Sequence, residues 1–281
     1  MNKQKITNIM SVDLEDYYCD LKFEEWGKYD SRVEENTEKI LVLFEKYNVT
    51  ATFFCLGYIA EKFPDLIMNI KKRGHEIASH SYAHIDLRKV SKEEFEKDLQ
   101  KSINIIEKIT GDKVKGFRAP FFSIDKNSFW AFEVLRKYVK YDSSIFPVKT
   151  HLYGVPNAPR HIYNPSKENP LKENKSEEMI EIPLATHKIP FIGNIPIAGG
   201  FYLRFFPYQY IKFGINKMNK KLLPAMIYIH PKDIDPNMPR IKEYSWHYYF
   251  NQKSAINKFE KLLKDFKFCS VERYFEMSRR Y

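Results

Sequence analysis

His80 and His84 lie four residues apart in Gly74-His75-Glu76-Ile77-Ala78-Ser79-His80-Ser81-Tyr82-Ala83-His84. That spacing puts two imidazoles on one face of a helical turn, and two neutral imidazoles so held form half of a divalent-metal site. Eight histidines in 281 residues also produce such a spacing by chance, with solvated surface histidines as the plain alternative. The missing ligand type is present in Asp13-Leu14-Glu15-Asp16, at the end of an apparent strand. If the strand persists, Asp13 and Glu15 share a face; otherwise the cluster is a solvated turn. Further chemistry sits in Gly116-Phe117-Arg118-Ala119-Pro120-Phe121, in Tyr141-Asp142-Ser143-Ser144, and in Met226-Ile227-Tyr228-Ile229-His230. Arg118 needs a carboxylate partner if buried and is otherwise a surface arginine before a proline turn. The glycine pair in Gly199-Gly200-Phe201-Tyr202-Leu203-Arg204 allows close backbone approach beside an aromatic ring and a guanidinium.

Elements that could position these residues follow from periodicity. Residues 6–12 read as a buried strand, 50–56 as a second, and 226–229 as a late one ending in His230. Helical spacing marks 33–47, and a Pro-initiated helix runs from 64 to 72 before Gly74 stops it. Ser91 with Glu94 is a capping box opening a helix to about 109. Residues 125–138 form another helix, 141–144 close a strand, and 180–184 return to strand character. A last helix spans 252–266. Strand–helix alternation predicts a parallel sheet or barrel with helices outside, in which strand ends converge on one face. Residues 151–178 carry Pro156, Pro159, Pro165 and Pro170 among polar residues. They read as an excursion within one domain spanning 1–281, a loop-rich insertion at about 150–178.

The chain has 22 Phe and 19 Tyr and is 43% hydrophobic, ample for a sizeable core. Its 46 Lys+Arg against 36 Asp+Glu give a formal +10. The basic residues are scattered, in short clusters such as Lys71-Lys72-Arg73 and Lys220-Lys221, with no nucleic-acid motif, which argues against a nucleic-acid partner. Cys19, Cys55 and Cys269 show neither metal spacing nor a disulfide framework. Residues 1–5 begin positively, but 6–12 are too short and polar for a signal-peptide core. Longer apolar stretches are broken by Pro, Gly or charge, so no transmembrane segment is expected. The expectation is a cytoplasmic protein, with its excess of Lys and Arg allowing peripheral contact at the inner face of an anionic membrane.

Taken jointly, these motifs resemble the polysaccharide deacetylases, the NodB-homology or carbohydrate esterase family 4 enzymes, from Asp13 to His230. The longer forms Ser11-Val12-Asp13-Leu14-Glu15-Asp16-Tyr17-Tyr18, Tyr141-Asp142-Ser143-Ser144-Ile145-Phe146-Pro147 and His230-Pro231-Lys232-Asp233-Ile234-Asp235-Pro236 resemble the branch found in exopolysaccharide and capsule gene clusters. The resemblance implies an α/β fold, an irregular (β/α) barrel of about seven parallel strands with outer helices. It implies one divalent metal, zinc being the first choice, held by His80, His84 and a carboxylate. Because Leu14 follows Asp13 where the familiar pattern has a second aspartate, Glu15 is the better third ligand and Asp16 the alternative. Asp13 is implied as catalytic base, Arg118 as its orienting arginine, His230 as general acid and Asp142 as the charge partner of His230. Phe121, where Tyr is familiar, would offer a backbone N–H to the oxyanion and, with Gly200, Tyr202 and Arg204, bind substrate. Tyr18, Trp26, Phe121 and Tyr202 could stack on sugar faces. The implied reaction is metal-dependent removal of an N-acetyl group from an amino sugar in a polysaccharide, oligosaccharide or glycan precursor. The alternatives are allantoinase-like hydrolysis of another non-peptide C–N bond, or an inactive saccharide-binding relative.

Overall fold

Chain order in the computed structural model, which describes residues 6–278, is β1 (Thr7–Leu14), α1 (Val33–Tyr47), β2 (Thr52–Cys55), α2 (Gly57–Lys62), α3 (Pro64–Lys72), β3 (Glu76–Ser79) and α4 (Lys92–Thr110). Then come β4 (Gly116–Phe117), α5 (Ala131–Tyr138), β5 (Tyr141–Asp142), β6 (Ile180–Glu181), β7 (Thr186–Ile189) and β8 (Gly193–Pro196). The chain closes with α6 (Gly200–Phe205), α7 (Tyr208–Asn219), β9 (Met226–Ile229), α8 (Gln252–Asp265), β10 (Lys267–Cys269) and α9 (Val271–Ser278). The basic residues 1–5 lie outside the described residues.

Local chemistry explains the long helices. α1 carries Glu34 and Glu35 in its first turn and Lys46 in its last, matching the helix dipole, and Asn48 ends it in the left-handed region. It buries Ile40, Leu41 and Phe44. At the start of α4, the Ser91 hydroxyl accepts from Glu94 N at 3.2 Å, and the Glu94 carboxylate accepts from Ser91 N at 2.7 Å. That is the reciprocal capping box expected from the sequence.

Two compact units divide the chain: residues 1–53, 73–76 and 197–281 form one, and 54–72 with 77–196 the other. In the first, β1 pairs in parallel with β10 and with β9, its register running from Ile9 opposite Met226 to Val12 opposite Ile229. Burial along β1 is nearly continuous, as befits a strand covered on both faces. In the second, β3, β4, β5 and β6 are consecutive parallel neighbours, and β7 with β8 makes a separate antiparallel hairpin.

Several elements differ from the periodicity reading. The strand ending before Gly57 is followed at once by α2; a side chain at Gly57 would collide with Tyr82 and the Ser102 backbone, so glycine lets helix and neighbour approach closely. α5 begins at Ala131 instead of 125: Ser128 Oγ donates to Ser123 O and accepts from Asp125 N, tying off a turn first. The helix read as the last is followed by β10 and α9, a strand too short to show alternation. Residues 151–178 are irregular, fastened by the bridge between Pro165 and Glu173.

Candidate active site

The first unit groups ionisable side chains beyond the paired ends of β1 and β9. Asp13 and Glu15 are 2% and 1% exposed, so they are not a solvated turn. Since Val12 pairs with Ile229, His230 emerges beside Asp13. Its Nε2 lies 3.3 Å from Glu15 Oε1 and 3.9 Å from Asp13 Oδ2. Its Nδ1 donates to Asp233 Oδ2 at 2.7 Å, which fixes the tautomer and ring direction. Burial pulls the His230 pKa down, but Asp233 and Glu15 outweigh it and the net shift is upward. Asp233 feels burial as an upward pressure, yet His230 and Arg204 hold its carboxyl well below the usual range.

This geometry corrects several sequence expectations. The carboxylate on His230 Nδ1 is Asp233, three residues along the same segment, where Asp142 had been expected. Arg204 is 4% exposed and donates to Asp233 and to the carbonyls of His247, Tyr248 and Phe250, so it anchors the site and is sealed from a sugar. Gly200 is required by packing: a Cβ there would lie 1.8 Å from Asp233 Oδ2, which His230 and Arg204 hold in place. Tyr202 remains partly exposed, its ring parallel to Phe206. Asp16, the alternative ligand, accepts from the N–H groups of Tyr17, Arg32 and Val33 and from the Ser31 hydroxyl, capping α1. Tyr18 and Trp26, offered as sugar platforms, are 0% and 1% exposed and belong to the core.

Lys232 and Asp20 were missed. Buried Lys232 places Nζ 2.7 Å from both Glu15 Oε1 and Asp20 Oδ2. Burial lowers its pKa, but Asp20 and Glu15 together raise it well above the ordinary value, so the ammonium is fixed.

In the second unit His80 follows β3 directly, and its Nδ1 donates to the Arg118 carbonyl at 2.7 Å. Nε2 therefore carries the ring's lone pair in the neutral imidazole, the form a metal ligand needs. The His84 ring lies 5.3 Å from that of His80 and 4.4 Å from Phe121. No helical turn joins the two histidines, contrary to the spacing argument. Ser81 and His84 have φ of 69° and 52°, and the loop between them is pinned by Asp98, which accepts from Tyr82 N at 2.7 Å and Ala83 N at 3.1 Å. Burial pushes Asp98 up to about 6 against the pull of those two N–H groups.

Arg118 is fully buried, not a surface residue. Its Nε and a terminal nitrogen donate to Ser143 O and Oγ, both at 2.9 Å, and its guanidinium lies 4.2 Å from the Phe54 ring centroid. Asp142 accepts from Ser144 N and Oγ, and Ser144 in turn accepts from Ala119 N, fixing the turn that leads to Phe121. Phe121 itself has φ of 56°. Glu181 sits opposite Asp142 in the β5–β6 register, and burial plus that neighbour push it well above the usual carboxylate range. Two adjacent buried carboxyls resolve their repulsion by keeping a proton on Glu181.

A polysaccharide deacetylase family model matches residues 26–137, a range holding His80, His84 and Arg118; a domain of unknown function, DUF3473, matches 143–276, which holds His230. A peptidoglycan-N-acetylglucosamine deacetylase of Bacillus cereus is 40% identical over 100 residues, 35% of this chain and 36% of that protein. The chain spans between 17% and 36% of the length of the first curated relatives it matches. Among solved structures, a candidate polysaccharide deacetylase from Mycobacterium smegmatis aligns with a TM-score of 0.65 at 17% identity, covering 100% of this chain and 93% of that one. A CE4 family pseudoenzyme from Bacillus anthracis aligns at 0.51 with 15% identity, covering 96% and 66%. The structural likenesses give the fold as the NodB-type (β/α) barrel class that the resemblance implied. Residues 26–137 are thus similar to the polysaccharide deacetylase family, and the chain shares the fold of the aligned structures.

Proposed function

We propose that the chain is a hydrolase that removes N-acetyl groups from amino sugars of a glycan, acting as one catalytic module with 150–178 as a loop-rich insertion. The observation that carries this reading is His230 held by Asp233 on one ring nitrogen while its other faces Asp13 and Glu15. That is the arrangement of a proton donor beside a base. Glu15, His80 and His84 are proposed as ligands of one divalent metal, zinc foremost. The donor set suits it: His80 has its Nδ1 committed to a carbonyl, leaving Nε2 as donor, and two imidazoles with a carboxylate leave positions for water and substrate. When bound, such an ion polarises the amide carbonyl and acidifies water.

The chain's own residues supply the rest. Asp13 takes the proton from the attacking water, with Arg118 orienting that base. The backbone N–H of Phe121 donates to the developing oxyanion. His230 gives its Nε2 proton to the departing amine, which leaves too poorly unprotonated, and Asp233 stabilises the imidazolium that this requires. The named substrate of the Bacillus cereus relative suggests N-acetylglucosamine in a polymer; the longer motifs suggest a surface polysaccharide or its precursor, of the exopolysaccharide and capsule kind.

Peripheral contact with an anionic membrane is proposed through exposed Lys217, Lys220 and Lys221 beside Phe213 and Leu222, within residues 197–232, which contain no Asp or Glu. No described helix is long and apolar enough to cross a membrane.

A second reading, a saccharide binder without turnover, is favoured by one observation: the Lys232 ammonium rests on the proposed ligand Glu15. Acetate release from peptidoglycan, chito-oligosaccharides, and lipid- and nucleotide-linked N-acetyl sugars tests the proposal. Release by wild type, abolished in His80→Ala/His84→Ala, is the expected result. Saccharide binding without any acetate supports the second reading, and hydrolysis confined to ureides or other amides an allantoinase-like activity.

A further inference from the structure

We propose that Lys232 is a resident counter-cation on Glu15 that limits how tightly the metal is held; this rests on the reading of Glu15 as a metal ligand. Glu15 Oε1 is 2.7 Å from the Lys232 ammonium and 3.3 Å from His230 Nε2. An ammonium is a donor only and cannot share in coordination. It therefore competes with a metal ion twice, by occupying the ligand oxygen and by adding a like charge next to the incoming one.

Lys232 is also built to stay. The residue is 9% exposed, Gln252 Nε2 bonds its carbonyl, and its Nζ lies 5.9 Å from the Tyr248 ring centroid. Asp20 supplies a second anion at 2.7 Å, so the ammonium keeps a partner when Glu15 turns to the metal. The Lys232–Asp20 pair thus works as a counterweight: the stronger its own pairing, the less Lys232 opposes uptake at Glu15. Arrangement and charge both predict a site of lower affinity than the same ligands without the lysine.

The test is Zn2+ affinity of the full chain, measured by competition with a chromophoric chelator, with folding followed by circular dichroism. Lys232→Met should tighten Zn2+ binding tenfold or more. Asp20→Asn should weaken it threefold or more, because the ammonium is then left to Glu15 alone. If folded Lys232→Met binds Zn2+ as wild type does, or more weakly, while Glu15→Gln loses binding, the proposal is overturned and the ligand reading stands. If neither wild type nor Lys232→Met binds Zn2+, the ligand reading itself fails and takes the proposal with it. A wild type that does not bind beside a Lys232→Met that does would support the proposal in its strongest form. Should Lys232→Met not fold, Asp20→Asn decides: unchanged or tighter binding there overturns the proposal.

Discussion

Asp98→Asn separates the energetics of the histidine loop from its function. Asp98 accepts from Tyr82 N and Ala83 N, so it shapes the segment between His80 and His84. Its pKa, pushed from 3.8 to about 6, means that the folded protein bears a cost for the charged form at neutral pH. At about 1.4 kcal/mol per pH unit that cost is about 3 kcal/mol, with the two hydrogen bonds already included. The sign is that of a raised carboxyl: its contribution to stability is fully present below pH 3.8 and lost as pH rises through about 6. Asn never carries the charge and escapes the cost, but it offers one acceptor to two N–H donors and turns its amide toward one of them. That mismatch costs roughly 1–3 kcal/mol. The two effects offset near pH 7, so the variant should unfold within about 2 kcal/mol of wild type there. Relative to wild type it should gain about 2 kcal/mol between pH 4 and pH 7. Metal affinity should nevertheless fall about tenfold, because the histidine loop has lost its clamp. Denaturant unfolding at both pH values and a Zn2+ titration read these outcomes. A stability difference that does not change with pH would refute the burial argument, and unchanged Zn2+ affinity would refute the clamp.

Glu15→Gln should lose metal affinity by about tenfold or more, whereas Asp16→Asn should keep the metal and lose about 0.5–2 kcal/mol of stability through the α1 cap, read by metal titration and unfolding. Asp13→Asn should retain metal and lose turnover, separating base from ligand in paired metal and acetate assays. His230→Ala should slow amide hydrolysis by roughly 10² to 10⁴ and an activated acetate ester much less; equal losses on both would make His230 a positioning group. Binding to phosphatidylserine vesicles should fall with salt, and the triple change Lys217→Gln, Lys220→Gln, Lys221→Gln should cost about 3 kcal/mol at about 1 kcal/mol per lysine; binding indifferent to both would remove the membrane surface.

Long periodic elements were legible in the sequence because local signals agreed with one another. α1 has its charges in dipole order and α4 has its capping box, and both begin where those signals put them. Short strands buried in parallel ladders carry no alternation, and β10 accordingly escaped. The histidine pair was found for a reason the fold does not use. Spacing four apart suggested a helical turn, whereas positive φ at Ser81 and His84 and the Asp98 clamp bring the rings near each other in a loop.

The partners of the site residues were the least legible part, and the reason is physical. A ligand, base or acid must be a particular residue type at a particular place, so its motif shows. A partner need only deliver a charge within reach, and almost any carboxylate can do so. Asp233 reaches His230 Nδ1 because Pro231–Ile234 turns as a short 3-10 helix, which brings position i+3 back over position i. The only sequence trace was an acid three residues after a strand-end histidine, indistinguishable from an ordinary N-terminal cap. Glu181 reaches Asp142 through the register of β5 and β6, across 39 residues whose irregular excursion hides the pairing. Arg204 was read as a substrate ligand because a guanidinium beside paired glycines looks like one. Its actual partner, Asp233, explains both the arginine and Gly200, since one needs the carboxylate and the other must make room for it. Conspicuous cations in this chain thus serve buried carboxylates first, Arg204 serving Asp233 and Lys232 serving Glu15.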